Sequence, residues 1–215
     1  MLTNPKKFDQ LVIDIIRHGE PEGGVRYRGS IDDPLSETGW KQMRQSTQAA
    51  LKSGYQWDHI ISSPMKRCNA FATELSEQLT RPLTTIENLR ELAFGDLEGL
   101  TPKQAWEQYP TVLENMWKNP EAHTPPNAES FTAFLHRVNE SLLHIIKQHS
   151  NQHLLVVAHG GVIRASITNL LGIAPRETFQ MEVPYAGMTR FTVYKEPDGT
   201  FRCSLNYLNR FHGDA

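Results

Sequence analysis

The stretch Leu11-Val12-Ile13-Asp14-Ile15-Ile16-Arg17-His18-Gly19-Glu20 decides the fold and the place of the chemistry. Its apolar, β-branched first part is typical of a buried strand, and Gly19 ends that strand. Arg17 and His18 are therefore predicted at a strand end, facing the crevice where open α/β sheets bind their ligands. There the arginine supplies a fixed cation and the histidine a titratable base or nucleophile.

A second segment of the chain repeats this arrangement. Residues 154–158 form another apolar run, and His159 follows it directly, with Gly160 and Gly161 next. The carboxyl ends of parallel strands lie at one edge of a sheet, which is where ligands bind. Two histidines at strand ends therefore indicate chemistry at a shared site.

The rest of the chain alternates predicted strands with predicted helices. This order predicts an α/β fold with a largely parallel central sheet and helices on both faces. Residues 1–215 contain no internal repeat and no linker, so we expect a single domain with a small helical insertion over the site at about 100–127. Periodicity predicts helices over 36–52, 64–79, 131–148 and 162–171, and strands over 59–61, 83–86, 179–183, 189–194 and 201–207.

The composition excludes several classes of partner. The net charge is −2, so no overall basic field attracts nucleic acid or an anionic membrane. No run approaches the roughly 18 apolar residues of a membrane-spanning helix, and residues 1–10 lack the apolar core of a secretory signal. We expect a cytoplasmic protein whose two cysteines are free thiols and whose partner is a small phosphorylated metabolite. The sequence makes no prediction of oligomeric state.

Five polar residues stand at breaks between predicted elements: Arg17, His18, Arg67, Glu91 and His159. Each alone has an ordinary structural explanation, since a lone buried histidine is more often a hydrogen-bonded core residue than a catalyst. Together they suit a phosphate monoester. An arginine fork binds two phosphate oxygens, a neutral imidazole can attack phosphorus, and a carboxylic acid can protonate the departing alkoxide.

Two further features of the sequence concern charge on the phosphoryl group. His159, if protonated, would stabilise the equatorial oxygens of the transition state. Gly160 and Gly161 open the predicted helix that follows, so their amides would face an anion. No arrangement of histidine, cysteine and carboxylate residues completes a metal-binding set, so neither a metal nor another cofactor is expected.

Six motifs follow one another along nearly the whole chain. They occupy residues 17–20, 26–29 with 34–39, 63–67, 89–99, 126–130 and 157–161. In this order they resemble the histidine phosphatase superfamily, which includes the cofactor-dependent phosphoglycerate mutases. The resemblance implies a three-layer α/β/α fold and a phosphoric monoester hydrolase.

The same resemblance assigns roles to individual residues. It implies that His18 is the phosphorylated nucleophile and that Glu91 is the proton donor. By the same comparison, three residues bind the phosphoryl group and two contact the substrate. The phosphoryl-binding residues are Arg17, Arg67 and His159, and the substrate contacts are Arg28 and Gly29.

Two departures from the family pattern bear on the reaction. The family often has an asparagine six residues after the nucleophile, and Gly24 stands there, so that phosphate contact is either absent or made by Arg26 or Arg28. In the mutases an arginine that binds the glycerate carboxylate follows the acid, whereas Leu92 follows Glu91 in this chain. The missing cation favours a phosphatase over a mutase.

Among phosphatases of the family, the chain resembles the α-ribazole phosphatases of cobalamin synthesis. Leu92, Phe94 and Trp106 would offer an apolar lining suited to a nucleoside-like leaving group, or they would simply pack the insertion. The alternatives are a broad-specificity small-molecule phosphatase, a phosphoglycerate mutase and a non-catalytic protein that binds phosphorylated ligands.

Overall fold

A six-stranded sheet forms the centre of the protein. The computed structural model describes residues 9–210, so most of the 1–10 segment that bears on the predicted location lies outside the described residues. The sheet order is β3-β2-β4-β1-β5-β6, in which β1, β2, β3 and β4 are parallel and β5 and β6 are antiparallel additions. The strands are β1 (Asp9–Arg17), β2 (His59–Ser62), β3 (Leu83–Thr85), β4 (His153–Ala158), β5 (Met188–Lys195) and β6 (Phe201–Arg210).

Helices cover both faces of this sheet, as the continuous apolar runs of β1 and β4 require. Alternate residues of β1 face opposite sides: Ile13 and Ile15 belong to the core under α5 and α6, whereas Ile16 belongs to the core under α1 and α2. The predicted α/β class and largely parallel sheet are confirmed. The helices are α1 (Glu37–Lys52), α2 (Lys66–Leu79), α3 (Pro102–Gln108), α4 (Pro110–Lys118), α5 (Phe131–Gln148), α6 (Gly160–Leu171) and α7 (Pro175–Thr178).

Helix α5 shows how directly the sequence specifies some elements. Its bounds, Phe131–Gln148, agree with the predicted range, because Ser130 caps the first turn by accepting from the amide of Ala133 and the apolar stripe continues to Ile146. None of the helices within 9–210 combines the length and hydropathy that a bilayer-spanning helix needs.

The two short helices α3 and α4 lie in the stretch where the insertion is expected. Their apolar side chains form a small separate core of Leu97, Ala105, Leu113 and Met116, against which Tyr27 packs. This packing fixes α4 beside the carboxyl ends of β1 and β4, where Met116 lines the pocket described below.

One predicted strand does not form within residues 9–210, and two helices begin two residues away from their predicted starts, α2 and also α6, which begins at Gly160 rather than at residue 162. Residues 179–183 do not form a strand, because their carbonyl groups accept hydrogen bonds from arginine side chains instead of a neighbouring strand. Helix α2 begins at Lys66 rather than Pro64, because the residue before it, Met65, is still extended. Apolar content alone could not distinguish a strand that is hydrogen-bonded within a sheet from a loop with buried side chains.

Asp14, in the middle of β1, is a buried acid that the sequence analysis treated as part of an apolar run. Its carboxylate accepts two hydrogen bonds from Arg190 at 2.8 Å, one from Trp57 at 2.8 Å and one from Tyr207 at 3.1 Å. The His153 ring lies 2.7 Å away. Although burial raises the pKa of Asp14, the bonds to Arg190 and His153 outweigh burial and lower it to about 2.

The substitution Asp14→Asn should remove a pH-dependent part of the stability. The folded pKa of about 2 lies below the ordinary value of 3.8, so ionised Asp14 stabilises the fold above pH 3.8 and loses this effect as the pH falls towards 2. The difference corresponds to about 2 kcal/mol. The free energy of unfolding should be measured in urea between pH 7 and pH 2 for wild type and variant. The difference between the two proteins should become smaller as the pH falls from 3.8 towards 2. The exposed control Glu140→Gln should show no such narrowing, and a constant gap for Asp14→Asn would contradict the assignment.

Candidate active site

The register of two parallel strands brings the two predicted histidines together. Arg17 at the end of β1 is paired with Ala158 at the end of β4, and the amide of His18 donates to the carbonyl of Ala158 at 2.9 Å. The residues that follow the two strands are therefore neighbours. The rings of His18 and His159 lie 5.2 Å apart, centroid to centroid, in an edge-on arrangement.

His18 is held as a neutral imidazole with one nitrogen available. Its ring is buried, and Nδ1 lies 2.7 Å from the carbonyl oxygen of Gly19. That oxygen can only accept, so the proton is on Nδ1 and the lone pair is on Nε2. Burial, followed by the charges of Arg17 and Arg67, lowers the pKa of His18 well below 6.5.

Two arginines border this imidazole with hydrogen-bonding capacity unused. Arg17 donates from Nη1 to the carbonyl of Val183 at 2.5 Å, and Arg67 donates from Nη1 to the carbonyl of Ile31 at 2.8 Å. The Nε atoms of both arginines are buried and have no hydrogen-bond partner. Neither guanidinium has a carboxylate within 4.0 Å among residues 9–210. Buried donors are rarely left unpaired, so these point to a missing acceptor.

His159 is fully buried and is oriented by residues of β2 and α2. Its Nε2 lies 2.7 Å from Ser63 Oγ and 3.6 Å from Cys68 Sγ. Burial, followed by Arg67 and His18, lowers the pKa of His159 well below 6.5. The ring is therefore neutral, which differs from the protonated form considered in the sequence analysis, but a neutral ring still offers one N–H donor.

Glu91 lies opposite these groups, on the loop between β3 and α3. Its side chain accepts from the amide of Leu92 at 3.0 Å and from the amide of Gly161 at 3.2 Å. Arg137 fixes the main chain by donating to the carbonyl of Glu91 at 3.0 Å. A Cβ atom at position 161 would collide with the carboxyl of Glu91, so only glycine permits this contact.

The predicted substrate contacts lie at the same pocket, with one important difference in charge. Arg28 is paired with Asp33 at 2.9 Å and also donates to the carbonyl of Gly24 at 2.6 Å. Its charge is thus compensated inside the protein. Arg26 lines the pocket and has no ion-pair partner among the described residues, so it is the better replacement for the family's asparagine.

A pocket of about 220 Å³ joins these residues. It is lined by the predicted residues Arg17, His18, Arg28, Gly29, Arg67, Glu91 and Gly160. His159 does not line the pocket, but its ring lies edge-on to the His18 ring. The structure thus brings together all eight residues singled out from the sequence.

The outer wall of the pocket is aromatic and apolar. Phe94 packs edge-on against Tyr27 at 5.2 Å, and Trp117 packs edge-on against Phe179 at 5.1 Å. Leu92 and Phe94 line the pocket as expected. Trp106 does not, because its face of α3 points outward and its side chain is 54% exposed.

Sequence reasoning missed three polar residues of the site. Arg164 lies four positions after Gly160 on α6, a spacing that could have placed it on the same helix face. Ser63 follows the end of β2, which is the same signal that identified the histidines. Tyr185, whose ring carries the Arg17 guanidinium at 4.1 Å, gives no local signal. Within 9–210, no group of three or more histidine, cysteine or carboxylate side chains is arranged to hold a metal ion.

Comparisons with known proteins identify the family. The sequence profile of the histidine phosphatase superfamily (branch 1) matches residues 13–203. A Hydrogenobacter thermophilus protein named "Putative phosphoserine phosphatase 2" is 32% identical over 201 residues, covering 91% of this chain and 94% of its own length. A 2,3-bisphosphoglycerate-dependent phosphoglycerate mutase of Rhizobium etli is 28% identical over 187 residues, covering 83% and 89% of the two chains.

Solved structures show the same fold. "Mycobacterial hydrolase 2" has a TM-score of 0.85 at 23% identity and covers 96% of this chain and 94% of that one. A mycobacterial glucosyl-3-phosphoglycerate phosphatase has a TM-score of 0.80 at 24% identity, with coverage of 93% and 99%. A "putative alpha-ribazole-5'-P phosphatase" of Escherichia coli K-12 has a TM-score of 0.78 at 24% identity, with coverage of 95% and 98%.

These matches confirm the family, fold class and enzyme class expected from the sequence. The profile spans nearly the whole chain, and the Hydrogenobacter thermophilus relative, at 32% identity, is matched over almost its full length. The chain belongs to the histidine phosphatase superfamily.

Proposed function

We propose that this protein is a metal-independent phosphomonoesterase that acts through a phosphohistidine at His18. One observation carries the proposal: a neutral imidazole with a free Nε2 stands between two buried guanidinium groups whose Nε donors lack acceptors. A phosphoryl dianion supplies those acceptors and places phosphorus beside the nucleophile.

In the first half of the reaction, His18 Nε2 attacks phosphorus in line with the ester bond. The P–N bond forms as the P–O bond breaks, and the Glu91 carboxyl transfers its proton to the departing oxygen. Arg17 and Arg67 stabilise charge on the equatorial oxygens, and the edge-on contact with His159 helps to hold the His18 ring in place. The proton on His18 Nδ1 remains bonded to Gly19, which stabilises the positive charge that develops on the ring.

In the second half, water replaces the alcohol. The Glu91 carboxylate removes a proton from water as the water oxygen attacks phosphorus, the P–N bond breaks, and inorganic phosphate leaves. Gly161 supports both halves because its amide donates to a carboxyl oxygen of Glu91 and its missing side chain leaves room for that carboxyl.

The pocket supports a small phosphorylated metabolite as substrate. The apolar wall of Tyr27, Phe94, Trp117 and Phe179 suits a nucleoside-like leaving group, and the E. coli neighbour bears a ribazole phosphatase name, so α-ribazole 5′-phosphate is one candidate. The names of the Hydrogenobacter thermophilus and Rhizobium etli relatives, phosphoserine phosphatase and phosphoglycerate mutase, instead suggest leaving groups that carry a carboxylate. Phosphate release from a panel of such esters, in the presence of EDTA, tests both the reaction and its independence of metal.

Two alternative functions predict different assay results. A mutase would convert 3-phosphoglycerate to 2-phosphoglycerate when primed with the bisphosphate, which we do not expect because Leu92 supplies no cation beside Glu91. A non-catalytic binding protein would retain phosphorylated ligands for hours without releasing phosphate. The placement of Glu91 favours an enzyme, since an ionised carboxylate repels a bound phosphate.

Replacing the nucleophile should abolish turnover. His18→Ala is expected to lose more than about 10⁴-fold in kcat and all acid-labile phosphate labelling, while substrate binding survives in part because Arg17 and Arg67 remain. The exposed His144→Ala on α5 is the matched control and should behave as wild type. Wild-type turnover by His18→Ala would refute the mechanism.

Gly161→Ala should disable Glu91 without removing it, because the added methyl group collides with the carboxyl. We expect a loss of about 10²–10⁴-fold for alkyl phosphates, the usual worth of a general acid, and a smaller loss for p-nitrophenyl phosphate, whose leaving oxygen needs less protonation. The double variant Glu91→Gln/Gly161→Ala should be no slower than Glu91→Gln alone. Additive losses would show that Gly161 acts in another way.

The two site histidines should remain neutral in mild acid. An imidazole with an ordinary pKa of 6.5 is about nine-tenths protonated at pH 5.5, whereas burial and the neighbouring arginines lower the pKa of His18 and His159 well below that value. Imidazole ¹⁵N spectra of the folded protein should therefore show both rings neutral at pH 5.5. The urea-unfolded protein provides the reference titration, and a folded-state transition near pH 6.5 for His18 would contradict this account.

A further inference from the structure

Arg164 is the cation of the pocket for which the proposed reaction has no task. It lies on α6, one helical turn after Gly160, and lines the pocket. Its Nε donates to the carbonyl of Thr178 at 3.1 Å and its Nη2 donates to the carbonyl of Met181 at 2.9 Å. Nη1 makes no hydrogen bond with any other residue in 9–210.

The guanidinium is therefore held in place and presents one nitrogen to the pocket. Nη1 lies 3.4 Å from the position that a Cβ atom would occupy at Gly160, and Arg17 Nε lies 3.6 Å from the same point. No carboxylate of the described chain lies within 4.0 Å of Arg164. A fixed, uncompensated guanidinium can donate a charge-assisted hydrogen bond from Nη1 to an anion that the described residues do not supply.

The surroundings of Arg164 place it on the side of the leaving group. Arg164 Nη1 lies beside Gly160, and the amide of the next residue, Gly161, donates to Glu91 Oε2 at 3.2 Å. Arg164 and Glu91 therefore both lie beside the first turn of α6 and line the same pocket. Because Glu91 protonates the departing oxygen in the proposed reaction, Arg164 adjoins the part of the substrate beyond that oxygen.

The charge balance of the pocket also indicates a second negative group on the substrate. Four guanidinium groups of the pocket, those of Arg17, Arg26, Arg67 and Arg164, have no carboxylate partner within residues 9–210, and Arg28 is neutralised by Asp33. The phosphoryl group of a bound ester carries about two negative charges, and Glu91 enters the first step protonated. Positive charge therefore remains unbalanced until the substrate brings a further negative charge.

We propose that Arg164 binds a second anionic group, a carboxylate or a phosphate, on the leaving group of the ester. The inference rests on the proposed function and narrows its substrate class. An uncharged nucleoside would leave Arg164 without a partner, so α-ribazole 5′-phosphate becomes the weaker candidate. Esters of hydroxy acids become the stronger one, with their carbon chain against the apolar wall.

Two matched pairs of substrates test the proposal in the wild-type protein. O-phosphoserine and phosphoethanolamine differ only in a carboxylate, and 1,3-propanediol bisphosphate and 3-hydroxypropyl phosphate differ only in a second phosphate. We expect kcat/KM to be about 10- to 100-fold higher for the anionic member of at least one pair, the usual range for a charge-assisted hydrogen bond. The pair that discriminates identifies the anion. Equal values within both pairs would overturn the proposal.

Variants show whether Arg164 causes the preference. In Arg164→Met the ratio within the discriminating pair should fall to nearly 1, mainly through KM, whereas Arg164→Lys should keep part of it because the charge remains. A purely structural role, through the carbonyls of Thr178 and Met181, would lower both members of the pair equally and leave the ratio unchanged. That result would also overturn the proposal.

A binding measurement separates this inference from the proposed function. Calorimetry with His18→Ala and with His18→Ala/Arg164→Met, using the same ligand pairs, needs no turnover. Tighter binding of the anionic ligand that disappears with Arg164→Met supports the inference even if the wild type hydrolyses nothing. Hydrolysis without any anion preference would instead leave the proposed function standing and remove the role of Arg164.

Discussion

The parallel pairing of β1 with β4 is the constraint on which the site depends. With Arg17 opposite Ala158, the next residue of each strand is a histidine, and both rings reach the same space beyond the sheet. A slip of one residue would reverse the faces of a strand, moving Ile13 and Ile15 from one core to the other. The register that buries the apolar side chains is therefore also the register that sets the distance between the histidines.

The clustered arginines need hydrogen-bond acceptors inside the protein, and the loops supply them. Clustered guanidinium groups repel one another and lose hydration, and a carboxylate partner would relieve this but would also compete with phosphate. Backbone carbonyl groups avoid that conflict, because they accept hydrogen bonds without carrying a full charge. Arg17, Arg67 and Arg164 all donate to carbonyls of irregular segments, those of Val183, Ile31 and Met181. The loss of the expected strand at 179–183 is part of this arrangement.

The sequence predicted the elements that local chemistry specifies. The apolar runs of β1 and β4 have long, unambiguous patterns, and α5 has both a cap and a continuous stripe. The same runs marked the strand ends and so located Arg17, His18 and His159. Glu91 and Arg67 gained roles only in combination with the other three residues, since each alone is an ordinary polar residue at the end of an element.

What escaped prediction depends on contacts between distant segments. Tyr185 reaches the pocket only because its loop packs beside Arg17, and Trp117 replaces Trp106 in the pocket wall because of the way α4 packs on Phe179. The sequence predicts no role for Asp14 within the apolar run of β1, because its partners Arg190 and Tyr207 are far along the chain. None of these contacts produces a periodic pattern in the sequence.

The contrast between Asp14 and the pocket separates structural charge from functional charge in this fold. Asp14 is surrounded by donors, so its charge is fully satisfied within the protein and lowers the free energy of the folded state. In the pocket the imbalance is reversed: the donors are in place and the acceptor is absent. Both clusters are buried, so burial alone does not distinguish them. The unpaired donors do, because a folded chain tolerates them where a ligand completes the hydrogen bonds.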